Sequence, residues 1–402
     1  MPRLADLHPA LVNTTEVLAR ELAQPTRAAP DWSKSEWVVA RAAAAIHGVA
    51  PLLSGVLRWT APETWLEHLR EQRMHTRIRF ERIQNLLHDI DDAARARRIA
   101  VIALKGAVLH MLGVYQPGER PMADVDLLVS DAEARRAAQL IEELGFRESG
   151  TTWKHREFVA ADSRAAVFGE HRANSLKIDL HTRIQEALPK RRVDISSQVF
   201  PSDPQPGLGG YASRVGLMSH VLQHAAGAMV FHALRLIHLQ DISRLAARMT
   251  EADWEALLSP ACQEPYWWAL PPLALAARYG HSIPEHVLSR FAAQCTWLLR
   301  TTSSRRRLSD VSLSRLWVPA LPGLEWARTI REGIAYAAGR IVPSAEVSAL
   351  RKLNAEQGPG AGPWGHLSQG QRILRWVTSR PARPEAVRAV HSAFGEFVSR
   401  HS

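Results

Sequence analysis

The run Ala123–Val129 (ADVDLLV) reads as a buried strand, yet it carries two aspartates, Asp124 and Asp126, separated by one residue. An unpaired carboxylate in a protein interior costs several kcal/mol, so the fold must give these acids a use. Alternate residues of a strand project to one face, about 6.5 Å apart along the backbone. Asp124 and Asp126 therefore point together, with Val125 and Leu127 on the opposite face. Carboxylates at this spacing converge on divalent cations, and an ion neutralises what burial would otherwise penalise.

The surrounding pattern sets the fold class. IAVIAL (99–104) is a short β-branched run ending at Lys105-Gly106, and AVLHMLGVY follows it as a helix. After the loop QPGERPMA and the acid-bearing strand, AEARRAAQLIEELG reads as a helix opened by Ser130-Asp131 and closed by Gly145. Three runs then alternate at period two: TTWKHREFVA, AAVFGEHR and LKIDLHTRI. Strand, helix, strand, helix and a meander predict an α+β class, an α/β core on a small mixed sheet.

Helical patterns flank this core. Residues 1–97 form an N-terminal helical region, including a helix opened by Ser33 and a long amphipathic helix after Pro62. The expected apolar stripe of that long helix is Trp65, Leu69, Met74, Ile78, Ile83, Leu86, Leu87 and Ile90. The core covers 98–205, and PSDPQPGLGG (201–210) reads as a linker. Residues 206–300 read as a helical acceptor-binding domain. The last part, 301–402, combines the Gly/Pro-rich stretch LNAEQGPGAGPWGHLSQG with one final helix.

Further polar residues interrupt apolar patterns. In LKIDLHTRI, Asp179 and His181 share a face opposite Ile178 and Leu180. Asp179 is thus a third acid for the same active face, and a candidate general base for an attacking hydroxyl. His220 and His224 lie one helical turn apart, but HExxH is absent, so a place in a substrate pocket or a helix contact outweighs zinc. Asp241 sits in LQDISRL, where it either orients a ligand or pairs with an arginine. Trp267 and Trp268 are read as core rather than as a base-stacking surface.

The bulk properties narrow the setting. No window of eighteen uncharged apolar residues occurs, and the N-terminus has no signal-peptide core, so a cytoplasmic chain with no membrane contact is expected. Cys262 and Cys295 have no CxxC spacing, which argues against a disulfide framework or a zinc site. The net charge of +10 suits an anionic partner such as a nucleotide, and nucleic acid stays open as a weaker alternative.

LKG, the helix to Tyr115, Arg120, DVDLLV, LGF and KIDLH, in that order, resemble the nucleotidyltransferase superfamily. The likeness is to its bacterial branch of uncharacterised nucleotidyltransferases, and it extends over about residues 100–250. RLWVPALPGLEW and RIVPS are similar to the C-terminal part of members encoded in lasso-peptide-type gene clusters. The resemblance implies a core of that family's type and a Mg2+-dependent reaction with two ions and a nucleoside triphosphate as substrate. Asp124, Asp126 and Asp179 would be the catalytic, metal-holding triad; Lys105, Gly106 and Arg120 would bind the nucleotide. His181, His220, His224 and Asp241 would line an acceptor pocket. One departure stands out: the wider superfamily has Gly-Gly or Gly-Ser where this chain has Lys105-Gly106, so a lysine charge would replace a serine hydroxyl.

The implied reaction is transfer of a nucleoside monophosphate to a hydroxyl or carboxylate of a peptide or small molecule. Three alternatives stay open on the same residues: kinase-like phosphoryl transfer to a peptide, RNA or tRNA nucleotidyl transfer, and an inactive nucleotide-binding or antitoxin-like partner.

Overall fold

The computed structural model describes residues 3–161, 167–189, 191–259, 266–280, 282–318, 321–343, 367–378 and 382–401. Four helices come first: α1 (Leu4–Ala23), α2 (Lys34–His47), α3 (Ala50–Val56) and α4 (Glu63–Arg97). Ser33 opens α2 through a capping box: the Glu36 amide donates to Ser33 Oγ, and the Ser33 amide donates to Glu36 Oε2. Gly48 then adopts φ +65°, which ends α2 and turns the chain into a separate α3, the two axes meeting at 112°. Among the described residues no single helix is long and apolar enough to cross a membrane.

The long helix α4 departs from its expected stripe in the middle. Trp65, Leu69, Ile83, Leu86 and Ile90 are buried as expected, whereas Met74 is 48% exposed. The buried positions between Leu69 and Phe80 are Gln72, Thr76 and Arg79. Polar groups are needed there because this stretch holds irregular backbone. The Glu170 amide donates to Gln72 Oε1 at 2.7 Å, and Arg79 Nη2 donates to the Met122 carbonyl at 2.9 Å.

The core follows as β1 (Ala100–Ala103), α5 (Lys105–Met111), β2 (Val125–Leu128), α6 (Ala134–Glu143), β3 (Phe146–Thr151), β4 (Arg156–Ala160) and β5 (Lys177–His181). A small hairpin, β6 (Gln185–Leu188) and β7 (Arg191–Asp194), a short helix α7 (Ser196–Val199) and β8 (Gly207–Gly209) complete it. The six-stranded sheet has the order β3-β4-β5-β2-β1-β8. It is mixed, with β2/β5 and β1/β8 parallel and β1/β2, β3/β4 and β4/β5 antiparallel. The architecture is α+β, a small mixed sheet between N- and C-terminal helical regions.

Two segments differ from expectation. The described part of AAVFGEHR, from Val167, is not a strand: Gly169 turns at φ +70° and α4 takes the neighbouring amide, leaving no ladder partner. The supposed linker contains the edge strand β8, which pairs with β1 and whose Leu208 amide donates to Asp91 of α4 at 2.7 Å. The Gly/Pro-rich stretch at 353–366 and Cys262 lie outside the described residues, whereas Cys295 is half-buried.

Beyond β8 the chain is helical: α8 (Arg214–Val230), α9 (Leu236–Ala246), α10 (Glu251–Leu258), α11 (Leu270–Tyr279), α12 (Glu285–Ala293), α13 (Trp297–Arg305) and α14 (Ile330–Ile341). Among the described residues two more helices, Gln369–Thr378 and Pro384–His401, stand where one was expected. One apolar core joins α4 and α6 to one sheet face and includes Val125, Leu127, Ile178 and Leu180. The other unites α1–α3 with α8–α13, and Trp267 and Trp268 are buried in it. Asp126 and Asp179 alternate with the first core's residues, so both leave the sheet on its other face.

Candidate active site

The site forms where β1 runs into α5. Lys105, the first residue of that helix, sits at φ +43°, a conformation an L-residue adopts only when its surroundings hold it there. Its amide donates to Tyr211 Oη at 3.0 Å, and that hydroxyl lies 2.6 Å from His220 Nδ1. Its side chain turns to β2, placing Nζ 2.7 Å from Asp126 Oδ1. Gly106 is required by close approach: a Cβ there would lie 2.3 Å from Arg120 Nη1 and 2.9 Å from Met122 Sδ.

The acids meet across two parallel strands. Asp126 of β2 is in register with Asp179 of β5, one strand spacing of about 4.8 Å away. His181 Nε2 lies 3.1 Å from Asp126 Oδ1, and His155, on the β3–β4 turn, places Nε2 3.4 Å from Asp179 Oδ2. Asp124, expected in the buried strand, instead lies one residue before β2, is exposed, and opens onto a cavity. Among the described residues it has neither a hydrogen bond nor an ion pair.

These carboxyls titrate apart. Burial opposes ionisation of Asp126, but the Lys105 charge and hydrogen bonds from His181 and Lys105 outweigh it, holding Asp126 well below the usual carboxylate range. Burial and then the Asp126 charge raise Asp124, with Lys105 and Arg120 pulling the other way. Burial, followed by the charges of Asp124 and Asp126, pushes Asp179 up to about 8. That rise favours the protonated form of Asp179 near neutral pH. An unpartnered carboxylate beside an ionised one is a hard-oxygen donor set of the kind Mg2+ takes.

The cavity beside the acids has a volume of about 280 Å3. Lys105, Gly106, Arg120, Asp124, Asp126, His224 and Asp241 line it, joined by Arg235 and His238. Asp179, His181 and His220 do not: the first two lie beside Asp126 along the sheet, and His220 sits behind Tyr211. Arg120 grips Asp241 with two parallel bonds, Nε–Oδ1 2.8 Å and Nη2–Oδ2 2.7 Å, and Tyr115 Oη donates to the same carboxylate at 2.7 Å. Much of its fork is thereby spent on the protein.

Two residues were missed in the sequence. Arg235, at the start of α9, donates Nε to the Ile46 carbonyl at 2.9 Å and pairs with no carboxylate among the described residues. Burial lowers its pKa, opposed by Glu170, Asp124 and Asp241. Its signal was faint, one arginine inside the apolar run HALRLIHL. His155 was hidden in an alternating run read only as strand, and its tertiary neighbours alone give it meaning.

The family described as Uncharacterised nucleotidyltransferase matches residues 33–268. No curated protein and no solved structure matches the chain.

Proposed function

We propose that this chain, which belongs to the uncharacterised nucleotidyltransferase family, transfers a nucleoside monophosphate from a triphosphate to a hydroxyl or carboxylate of a peptide or small-molecule acceptor, the acceptor oxygen attacking the α-phosphorus as the α–β bond breaks and pyrophosphate leaves. One observation carries the reading. Three carboxylates from two adjacent parallel strands share a sheet face, and the one at the mouth, Asp124, is unpartnered beside a cavity that also presents Lys105 and Arg235.

Asp124 and Asp126 would hold Mg2+, with Asp179 completing the carboxylate set. When bound, the cation would neutralise charge on the phosphates and at the reacting phosphorus. The chain's own residues do the rest. Arg235 offers guanidinium donors, free of any carboxylate, to phosphate oxygens. Lys105 stays charged, since the pull of Asp126 and Asp124 on its proton exceeds the cost of burial. Arg120, locked on Asp241, shapes the wall, and Gly106 lets it approach. His224 and His238, with ring centroids 4.9 Å apart, line the cavity with neutral imidazoles because burial lowers both pKa values well below the ordinary range. They suit an acceptor or a base better than a further phosphate.

The test incubates the full chain with each labelled nucleoside triphosphate, Mg2+ and host extract, and weighs the product. A mass gain of one nucleotide supports the reading; a gain of one phosphate replaces it with kinase-like transfer. Label transfer that persists in Asp124→Asn/Asp126→Asn overturns the site.

A further inference from the structure

The acid row does not end at Asp179. His155, Asp179 and His181 offer one ligand atom each, and these atoms lie within 4.8 Å of one another. A metal with ligands at about 2.0–2.2 Å separates tetrahedral neighbours by roughly 3.4 Å, so the three groups need only a small closing movement. His155 is on the β3–β4 turn, whereas Asp179 and His181 are alternate residues of β5, which fixes two of the three on a rigid strand.

Nothing in the protein satisfies these groups fully. His155 Nδ1 is buried with no hydrogen-bond partner, and Asp179 Oδ2 meets His155 Nε2 at 3.4 Å, an imidazole that burial keeps neutral. His181 is held at Nε2 by Asp126 Oδ1, the carboxylate–imidazole pairing that orients ligating histidines. The trio is also separate from the cavity. None of its members lines it, and Asp126, which does, stands between the two.

We propose that His155, Asp179 and His181 form a second cation position, selective for a borderline divalent transition ion of the Zn2+ or Co2+ kind rather than Mg2+. The class follows from the donors. Two imidazoles and one carboxylate suit zinc, cobalt or ferrous iron, whereas Mg2+ takes oxygen ligands and keeps its water. The site deepens the transfer reading, on which its catalytic meaning rests, by dividing the acids between an oxygen-rich place at Asp124/Asp126 and a nitrogen-rich one at Asp179. Three protein ligands leave further coordination positions open, so the ion could accept an oxygen of the acceptor or substrate.

The experiment uses the full chain, stripped of metal by a chelator and free of nucleotide, titrated with Co2+ alone and followed by visible absorption. The expected result is one tight equivalent with bands of nitrogen ligation, displaced by Zn2+ but not by a hundredfold excess of Mg2+. His155→Ala should weaken it more than about tenfold, the scale on which ligand-shell losses act. The milder His155→Gln should do the same at unchanged thermal stability, which excludes misfolding as the cause. Asp124→Asn should retain the band. An all-oxygen spectrum, complete displacement by Mg2+, or unchanged binding in both His155 variants overturns the proposal. Mg2+-dependent nucleotide binding, measured separately by calorimetry, keeps the two readings apart. If Co2+ is held but nucleotide is not, the transfer reading alone fails; the reverse result removes only the second cation position.

Discussion

Two arginines line one cavity and are treated in opposite ways. On one side Arg120 is clamped to Asp241 through two bonds, with Tyr115 on the same carboxylate. On the other, Arg235 donates to the Ile46 carbonyl and, like Asp124, forms no ion pair among the described residues. A buried ion pair with all partners in place is architecture, because removing either half strands the other. A charged group at a cavity that pairs with no protein partner keeps its hydrogen-bonding capacity for what enters the cavity. On the proposed reading the difference assigns Arg120 and Asp241 to the wall and leaves Arg235, which the sequence did not single out, with Asp124 for a ligand.

The sharpest way to break that division is to remove each arginine in turn. Arg120→Ala should lower unfolding free energy by about 3–5 kcal/mol in a denaturant titration, since Asp241 loses its buried partner. Arg235→Ala should change stability by no more than about 1 kcal/mol while weakening triphosphate binding by about 1.5–3 kcal/mol in calorimetry. Equal stability losses would erase the distinction. Asp124→Asn sharpens it from the acid side. The rate of label transfer should fall about 10²–10³-fold, as when one preorganised group facing developing charge is lost, and thermal stability should not fall.

A steric change gives a smaller effect on the wall side. Gly106→Ala puts a Cβ 2.3 Å from Arg120 Nη1, and overpacking of this kind costs about 1–3 kcal/mol. Its melting temperature should drop by less than that of Arg120→Ala, with triphosphate affinity reduced only if the clamp itself shifts.

Much of the fold was legible because it rests on local pattern. Val125 and Leu127 against Asp124 and Asp126, and Ile178 and Leu180 against Asp179 and His181, announce two strands with one polar face each. What failed was whatever depends on a distant partner. The middle of α4 was misread because Gln72 and Arg79 are buried in order to hold backbone at Glu170 and Met122, about a hundred and about forty residues away. Val167–Arg172 alternates like a strand but has no strand to pair with. The three acids were visible as a pattern; their unequal titration, the clamp on Arg120, and the roles of Arg235 and His155 exist only once the helices after β8 and the β3–β4 turn close around the sheet.

The smallest expected effect is also the most specific to the acid row. Folding raises the Asp179 carboxyl from its ordinary 3.8 to about 8, so the folded chain holds this proton more tightly than the unfolded one. The stabilisation is full below pH 4 and is lost progressively as pH rises to 8. Without divalent cations, the melting temperature of the wild type should therefore decline across that window relative to Asp179→Asn, whose amide has no proton to lose. The variant should be the more stable by about 1–2 kcal/mol at pH 8, well under the full linkage value because water and small movements relieve part of the repulsion. Adding a divalent cation should reverse the order, since binding draws off the proton and replaces it with a charge the carboxylate can use. Parallel curves for wild type and Asp179→Asn from pH 4 to 8 would mean that the charge at Asp179 is not coupled to Asp124 and Asp126, and the row of acids would then be a set of independent groups.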